Sequence, residues 1–152
     1  MNFLGYAHWF MSRRISQMKY HSIYVYQARY ATSIVETYLD TATVKASKRF
    51  YNTTLPSDMI FTKYDTSTSD KQVEKFTREF NIHYRDCVGS LIYLFSTRVE
   101  FSFTVHKLSK FSSNPGKVHF EVLVHLLRYI RENKTLGLKY YSDMNDAPVS
   151  DL

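Results

Sequence analysis

Between residues 81 and 141 apolar side chains recur at helical spacing in three successive blocks, each with its own start signal. In the first block Cys87, Val88, Leu91, Ile92, Leu94 and Phe95 form a wide apolar face. Thr97, followed three residues later by Glu100, has the pattern of a capping box and predicts a second helix opening at Arg98 or Val99. On that helix Phe101, Val105, Leu108 and Phe111 share a face. Asn114 and Pro115 supply an N-cap and a first-turn proline for a third helix. There Val118, Val122, Leu126 and Tyr129 make one stripe with Leu123, Leu127 and Ile130 beside it, while Lys117, Glu121, His125, Arg128 and Glu132 make the solvated stripe opposite. Asn133 and Gly137 are stop signals, and Leu138, Lys139, Tyr140 and Tyr141 alternate like a short strand. Gly89 sits inside the first helix at a cost of about 1 kcal/mol relative to alanine, which close packing against a neighbouring helix would offset.

The amino-terminal part has a different period. Phe3 to Phe10 reads as a strand, and Ser22, Ile23, Tyr24, Val25 and Tyr26 as a second, rich in β-branched and aromatic residues. Residues 11–21 would be the connection of this hairpin. After Gln27 the spacing of Tyr30, Ile34 and Tyr38 with Ala31, Val35 and Leu39 predicts an amphipathic helix ending near Asp40. Residues 41–69 are rich in Thr, Ser, Asp and Asn, with Val44, Phe50, Leu55, Met59, Ile60 and Phe61 as the apolar anchors of an extended segment or linker. Ser69 with Gln72 is a further capping-box pattern, opening a helix from Asp70 to about Phe80 with Val73, Phe76 and Phe80 on its apolar side. The expected fold class is α+β, an amino-terminal β-hairpin followed by a mainly helical unit. The expected division is a hairpin and first helix (1–40), an extended segment (41–69), a helical unit (70–141) and a polar tail (142–152).

At 152 residues, with 44% hydrophobic and 22% charged residues, the composition is that of a globular chain of one-domain length. The net charge of +6 favours a polyanionic partner, most simply nucleic acid. One cysteine, Cys87, excludes an internal disulfide, suits a reducing compartment, and lies on an apolar helical face where a buried inert thiol is expected. No apolar run reaches the length a membrane span needs. Phe3 to Met11 is interrupted by His8 and precedes its basic pair Arg13 and Arg14, the reverse of a signal peptide.

Several short motifs line up with one family. Tyr84-Arg85, Val88-Gly89-Ser90-Leu91, Tyr93-Leu94, Thr97-Arg98, Val105 and Leu108-Ser109-Lys110-Phe111 come first, followed by Asn114-Pro115, His119, Leu127-Arg128-Tyr129 and Leu136-Gly137-Leu138-Lys139-Tyr140. In order and spacing they resemble the carboxy-terminal part of the reverse transcriptase of copia-type long-terminal-repeat retrotransposons. Phe3-Leu4-Gly5, Gln27 with Tyr30, Pro56 and Lys63-Tyr64-Asp65 are similar to shorter upstream motifs of that family. Val99-Glu100 stands where the family has Pro-Asp, and Thr104 where it has Ala; Glu100 keeps a carboxylate at helix entry. The resemblance implies the end of a polymerase palm, then the thumb and connection that precede ribonuclease H, in a Pol polyprotein working inside the cell.

The chemistry of such a polymerase needs adjacent aspartates, in a Tyr-x-Asp-Asp sequence, to hold two metal ions for in-line displacement. Asp65, Asp86 and Asp143 each lack a second aspartate beside them, so no polymerase activity is expected of this chain alone. Asp143, after Ser142, reads as spacer, and the remaining ribonuclease H carboxylates are absent. His119 and His125 are six apart on one helix, not the i, i+4 spacing of two ligands on one face, and read as surface or satisfied histidines. No metal-ligand set, nucleophile turn, Walker loop or dinucleotide fingerprint is present, and no cofactor is implied. What remains is a set of basic residues among aromatics: Arg98, Lys107 and Lys110 around the second helix, with Arg128, Arg131 and Lys134 at the end of the third. The resemblance places this region where a template–primer duplex, RNA–DNA or DNA, is gripped through its phosphates, which give affinity without sequence choice. For each residue alone, a solvated side chain or an ion pair, as between Arg128 and Glu121 or Glu132, is the simpler reading. The other partners expected are the remainder of the polyprotein and a second copy, through an incompletely covered hairpin carrying Phe3, Leu4, Trp9 and Phe10. Two alternatives stand beside the polymerase fragment: a stand-alone nucleic-acid-binding module, and the product of a decayed element with no biochemical role.

Overall fold

The computed structural model describes residues 8–17, 22–39, 52–56, 62–67 and 69–141. Phe3, Leu4 and Gly5, the anchors Val44, Phe50, Met59, Ile60 and Phe61, and the tail beyond Tyr141 lie outside the described residues. The fold is α+β. Strands β1 (Trp9–Phe10), β2 (Arg13–Gln17) and β3 (Ile23–Tyr26) are followed by helix α1 (Ala28–Tyr38) and a 3-10 turn (Lys63–Asp65). Helices α2 (Asp70–Phe80) and α3 (Tyr84–Leu94) come next, then a second 3-10 turn (Val99–Phe101), α4 (Ser102–Ser109), α5 (Lys117–Glu132) and strand β4 (Gly137–Tyr140).

The sheet is antiparallel in the order β1-β2-β3-β4. Residues 11–21 are thus more than a connection, because five of them form β2. The turn between β1 and β2 is the two residues Met11 and Ser12, both at positive φ (48° and 60°). That is the twist a two-residue hairpin requires, usually supplied by Asn-Gly. Neither Met nor Ser announces such a turn, and β2 has a single apolar residue, Ile15, so neither end of the strand was marked. Strand β4 pairs with β3: Gly137 lies opposite Tyr26 and Leu138 opposite Val25. A Cβ at residue 137 would lie 2.3 Å from the Val25 carbonyl oxygen, so this approach of β4 to β3 requires glycine.

Behind the sheet the helices bury one continuous core. It contains Ala31, Ile34 and Val35 of α1, Cys87, Val88, Leu91 and Leu94 of α3, and Phe101, Val105 and Leu108 around α4. From α5 it takes Phe120, Val122, Leu123, Leu126, Leu127 and Ile130. The predicted stripes of α1, α3, α4 and α5 are the buried ones except at their edges: Ile92, placed on the α3 face, is 43% exposed, and Phe95 and Phe111 are only partly buried. Burial of Phe120 and His119 widens the α5 face beyond its predicted stripe. Phe120 is the hub of an aromatic group, with the rings of Tyr84 at 5.1 Å, Phe80 at 5.3 Å and Phe76 at 6.2 Å. Helix α2 has no fully buried residue and is held largely by these rings. The Tyr84 hydroxyl donates to the Leu108 carbonyl at 2.9 Å, tying the start of α3 to the end of α4.

The predicted caps take other roles. Ser69 is the N-cap of α2 but makes no side-chain cap bond. The Thr97 hydroxyl is buried and donates to Gln27 Oε1 at 2.7 Å, and the Glu100 carboxylate accepts from Arg98 Nε at 2.5 Å. With both cap groups so engaged, the chain enters through a 3-10 turn and α4 begins only at Ser102. Asn114 and Pro115 lie outside α5, whose N-cap is Gly116. Gly89 is exposed with no atom within 4 Å of where its Cβ would be, so helix packing is not the reason for this glycine. Cys87 is fully buried, and burial drives its thiol pKa well up, which keeps it protonated and unreactive. Among the described residues no helix is long and apolar enough to cross a membrane.

Candidate nucleic-acid interface

The six basic residues fall in different environments. Arg98 is the clearest departure from expectation: its side chain is 1% exposed. Nε donates to Glu100, Nη1 donates to the Asn133 carbonyl at 2.8 Å, and the guanidinium lies 5.5 Å from the centre of the Phe101 ring. A charge enclosed this way offers nothing to a phosphate at the surface. Arg98 is a structural cation at the C-terminal end of α5, where the helix dipole favours positive charge. The buried Tyr129 hydroxyl beside it has its pKa raised by desolvation and by Glu100, with Arg98 opposing.

On α4, Lys107 places its ammonium 4.8 Å from the centre of the exposed Phe103 ring, one turn earlier. Lys110 is the exposed C-cap of the same helix. On α5, Arg128 is half-buried and lines a cavity of about 310 Å³ with Tyr38, Phe80, Glu79 and Glu121. Arg131 pairs with Glu132 at 2.8 Å, taking the carboxylate that spacing also offered to Arg128. Lys134 follows in the turn beyond α5 and is half-buried. Lys107 and Lys110 therefore share one short helix, while Arg128, Arg131 and Lys134 follow one another along the last turn of α5 and its exit. Arg98 is not with either group. Among the described residues no group of three or more His, Cys, Asp or Glu side chains is placed to hold a metal ion.

A further set of cations was missed because it lies on β2 and α1. The Arg29 guanidinium is 5.7 Å from the centre of the Trp9 ring, and that of Arg13 is 5.8 Å from the Tyr93 ring. Arg13 also donates to Ser96 Oγ at 2.9 Å, and the Tyr93 hydroxyl donates to the Met11 carbonyl at 2.6 Å, so the hairpin is fastened to α3. Trp9, Phe10 and Met11 remain about half exposed or more, at 49%, 58% and 64%. The signal in the sequence was the Arg13-Arg14 pair, read as part of a connection.

No protein-family model matches the chain. No solved structure matches it either. Over 78 residues, 45% of this chain, it is 37% identical to the retrovirus-related Pol polyprotein from transposon RE1 of Arabidopsis thaliana; the match covers 5% of that polyprotein. It is 38% identical over 60 residues to the Pol polyprotein from transposon TNT 1-94 of Nicotiana tabacum, covering 4% of it. Secreted RxLR effector protein 161 of Plasmopara viticola is 36% identical over 61 residues, 43% of that protein and 40% of this chain. A little under half of the chain is thus similar to a small part of the Pol polyproteins of retrotransposons.

Proposed function

We propose that the chain is a non-catalytic piece of a retrotransposon reverse transcriptase that helps to grip the template–primer duplex by its phosphates. The observation that carries this reading is the similarity to three transposon Pol polyproteins, joined to a net charge of +6. Lys107, Lys110, Arg128, Arg131 and Lys134 are the contacting residues, with Arg13, Arg14 and Arg29 of the hairpin side as additional cations. Arg98 is not among the contacting residues: enclosed between Glu100 and the end of α5, it serves stability. The remainder of the polyprotein supplies the aspartates that the two-metal chemistry requires. Purified protein given primed template, magnesium and nucleotides is expected to bind the duplex without extending the primer. Extension above a no-protein control, or no binding at low salt, contradicts this reading.

A second reading rests on the match to the secreted effector, a protein of which this stretch makes up 43%. There the helical unit would serve as a module outside any polymerase. The two readings separate on nucleic acid: in a module recruited for another partner, Lys110→Ala and Arg128→Ala leave the salt dependence of duplex binding unchanged.

A further inference from the structure

At the start of α5 the exit of α4 and the N-cap loop meet on one imidazole, with the 62–67 turn and α2 fastened beside them. His119 is fully buried, and its ring lies 4.2 Å from that of Phe111 at the exit of α4. Its Nδ1 accepts the N–H of Gly116, the N-cap of α5, at 2.9 Å. A Cβ at residue 116 would lie 1.7 Å from the Asp65 carbonyl oxygen, so the 62–67 turn rests directly on the Gly116 backbone. Ser67 then fastens the turn, donating its hydroxyl to the Pro115 carbonyl at 2.7 Å and its N–H to the Asn114 carbonyl at 3.3 Å. One residue into the helix, Lys117 pairs with Glu79 of α2 at 3.3 Å. The loop 114–116 is thus the seat of the 62–67 turn, and His119 holds that loop in place.

We propose that His119 is a pH-sensitive clasp, holding the 114–116 loop and the 62–67 turn seated on it only while its imidazole is neutral. An imidazolium carries hydrogen on both nitrogens, so Nδ1 would confront the Gly116 N–H as donor against donor. Either the ring leaves the Phe111 stack or the loop withdraws from it. Both movements take away the surface on which Asp65 and Ser67 rest.

The charged groups around the ring do not reverse this. Asp65 faces it from the turn and favours the cation, but its carboxylate already accepts from the Thr62 N–H at 2.6 Å and the Thr62 hydroxyl at 3.1 Å. Lys117, two residues away on the same helix, is a cation paired with Glu79. Phe111 and Gly116 contribute no titrating side chain. The amino-terminal end of α5 disfavours positive charge through the helix dipole. Burial, the largest influence, holds the His119 pKa below the ordinary histidine value although Asp65 and a backbone hydrogen bond with Gly116 both push it up.

The test uses the full chain. His119 and the Gly116 amide are followed by NMR between pH 8 and pH 5, with hydrogen exchange at the amides of Ser67, His119 and Phe120. The expected result is titration of His119 below about 6.5, with protection at those amides falling about tenfold for each unit of depression of its pKa. In His119→Gln, which is neutral at every pH, protection at the same amides is expected not to change across this range. If that variant does not fold, the parent titration decides. Protection that stays constant while His119 titrates, or titration at the ordinary value, overturns the proposal.

Discussion

The Arg98 guanidinium donates to the backbone carbonyl of Asn133 at 2.8 Å, and so fixes the corner before α4 to the end of α5. Asn133 is the C-cap of α5, where carbonyls lack helical partners. Glu100 supplies the counter-charge from the same corner, with a side chain 33% exposed. Removing the cation strands a carbonyl and leaves the carboxylate to water. Arg98→Ala is expected to cost about 3 kcal/mol of stability. Arg98→Lys is expected to recover only part of it, since an ammonium does not reproduce the two-sided fork. Denaturant unfolding of the three proteins checks this, and a loss below about 1 kcal/mol for Arg98→Ala contradicts the buried-anchor role.

The glycines predict opposite signs. At Gly89 a methyl group meets nothing, and α3 gains helix propensity, so Gly89→Ala is expected to stabilise by about 0.5–1 kcal/mol. At Gly116 the same methyl would collide with the Asp65 backbone, so Gly116→Ala is expected to lower the melting temperature and to loosen the 62–67 turn. Paired thermal melts decide both.

Stability should fall with acid in two separate windows. His119 has a lowered folded pKa, so the unfolded chain takes up its proton first. Its contribution is complete above about pH 6.5 and is lost as pH falls towards the folded value. Asp65 is also lowered, chiefly by the Thr62 N–H, so its contribution is present above the unfolded carboxylate value and is lost at lower pH, as pH falls through the folded one. Melting temperatures measured from pH 8 to pH 3 are expected to show both declines. In Asp65→Asn the more acid one is expected to shrink.

How far the sequence revealed this arrangement depended on what kind of contact each part makes. The periodic faces of α1, α3, α4 and α5 were legible because helix burial leaves a repeat in the chain. Strand β2 was not, because its turn is made by Met11 and Ser12, which carry no hairpin signature. The caps failed for a related reason: Thr97 turns to Gln27, 70 residues away, and local spacing holds no record of so distant a partner. Arg98 was misjudged on the same ground, since a charged residue reads as exposed until its Glu100 and Asn133 partners are placed. His119 read as a surface or satisfied histidine, and its burial against Gly116 and a turn some fifty residues upstream leaves no mark in local spacing.

The exposed hairpin should govern self-association. Trp9, Phe10 and Met11 present apolar surface at the end of the sheet. The double change Trp9→Ser and Phe10→Ser is expected to lower the sedimenting mass of any oligomer at a given concentration. Trp9 emission in the parent is expected to be that of a partly exposed indole. A parent protein that stays monomeric at high concentration contradicts association through this patch.

Duplex binding as a function of salt is the most direct test of phosphate gripping. A labelled primed duplex is titrated at several salt concentrations with the parent protein, Lys110→Ala, Arg128→Ala and Arg98→Ala. With about four phosphates neutralised, log affinity against log salt is expected to fall with a slope of about −3 to −4, equally for unrelated sequences. Lys110→Ala and Arg128→Ala are each expected to reduce that slope by about one. Arg98→Ala is expected to lower stability and leave the slope unchanged. A parent protein with no salt-dependent binding at low ionic strength contradicts the proposal.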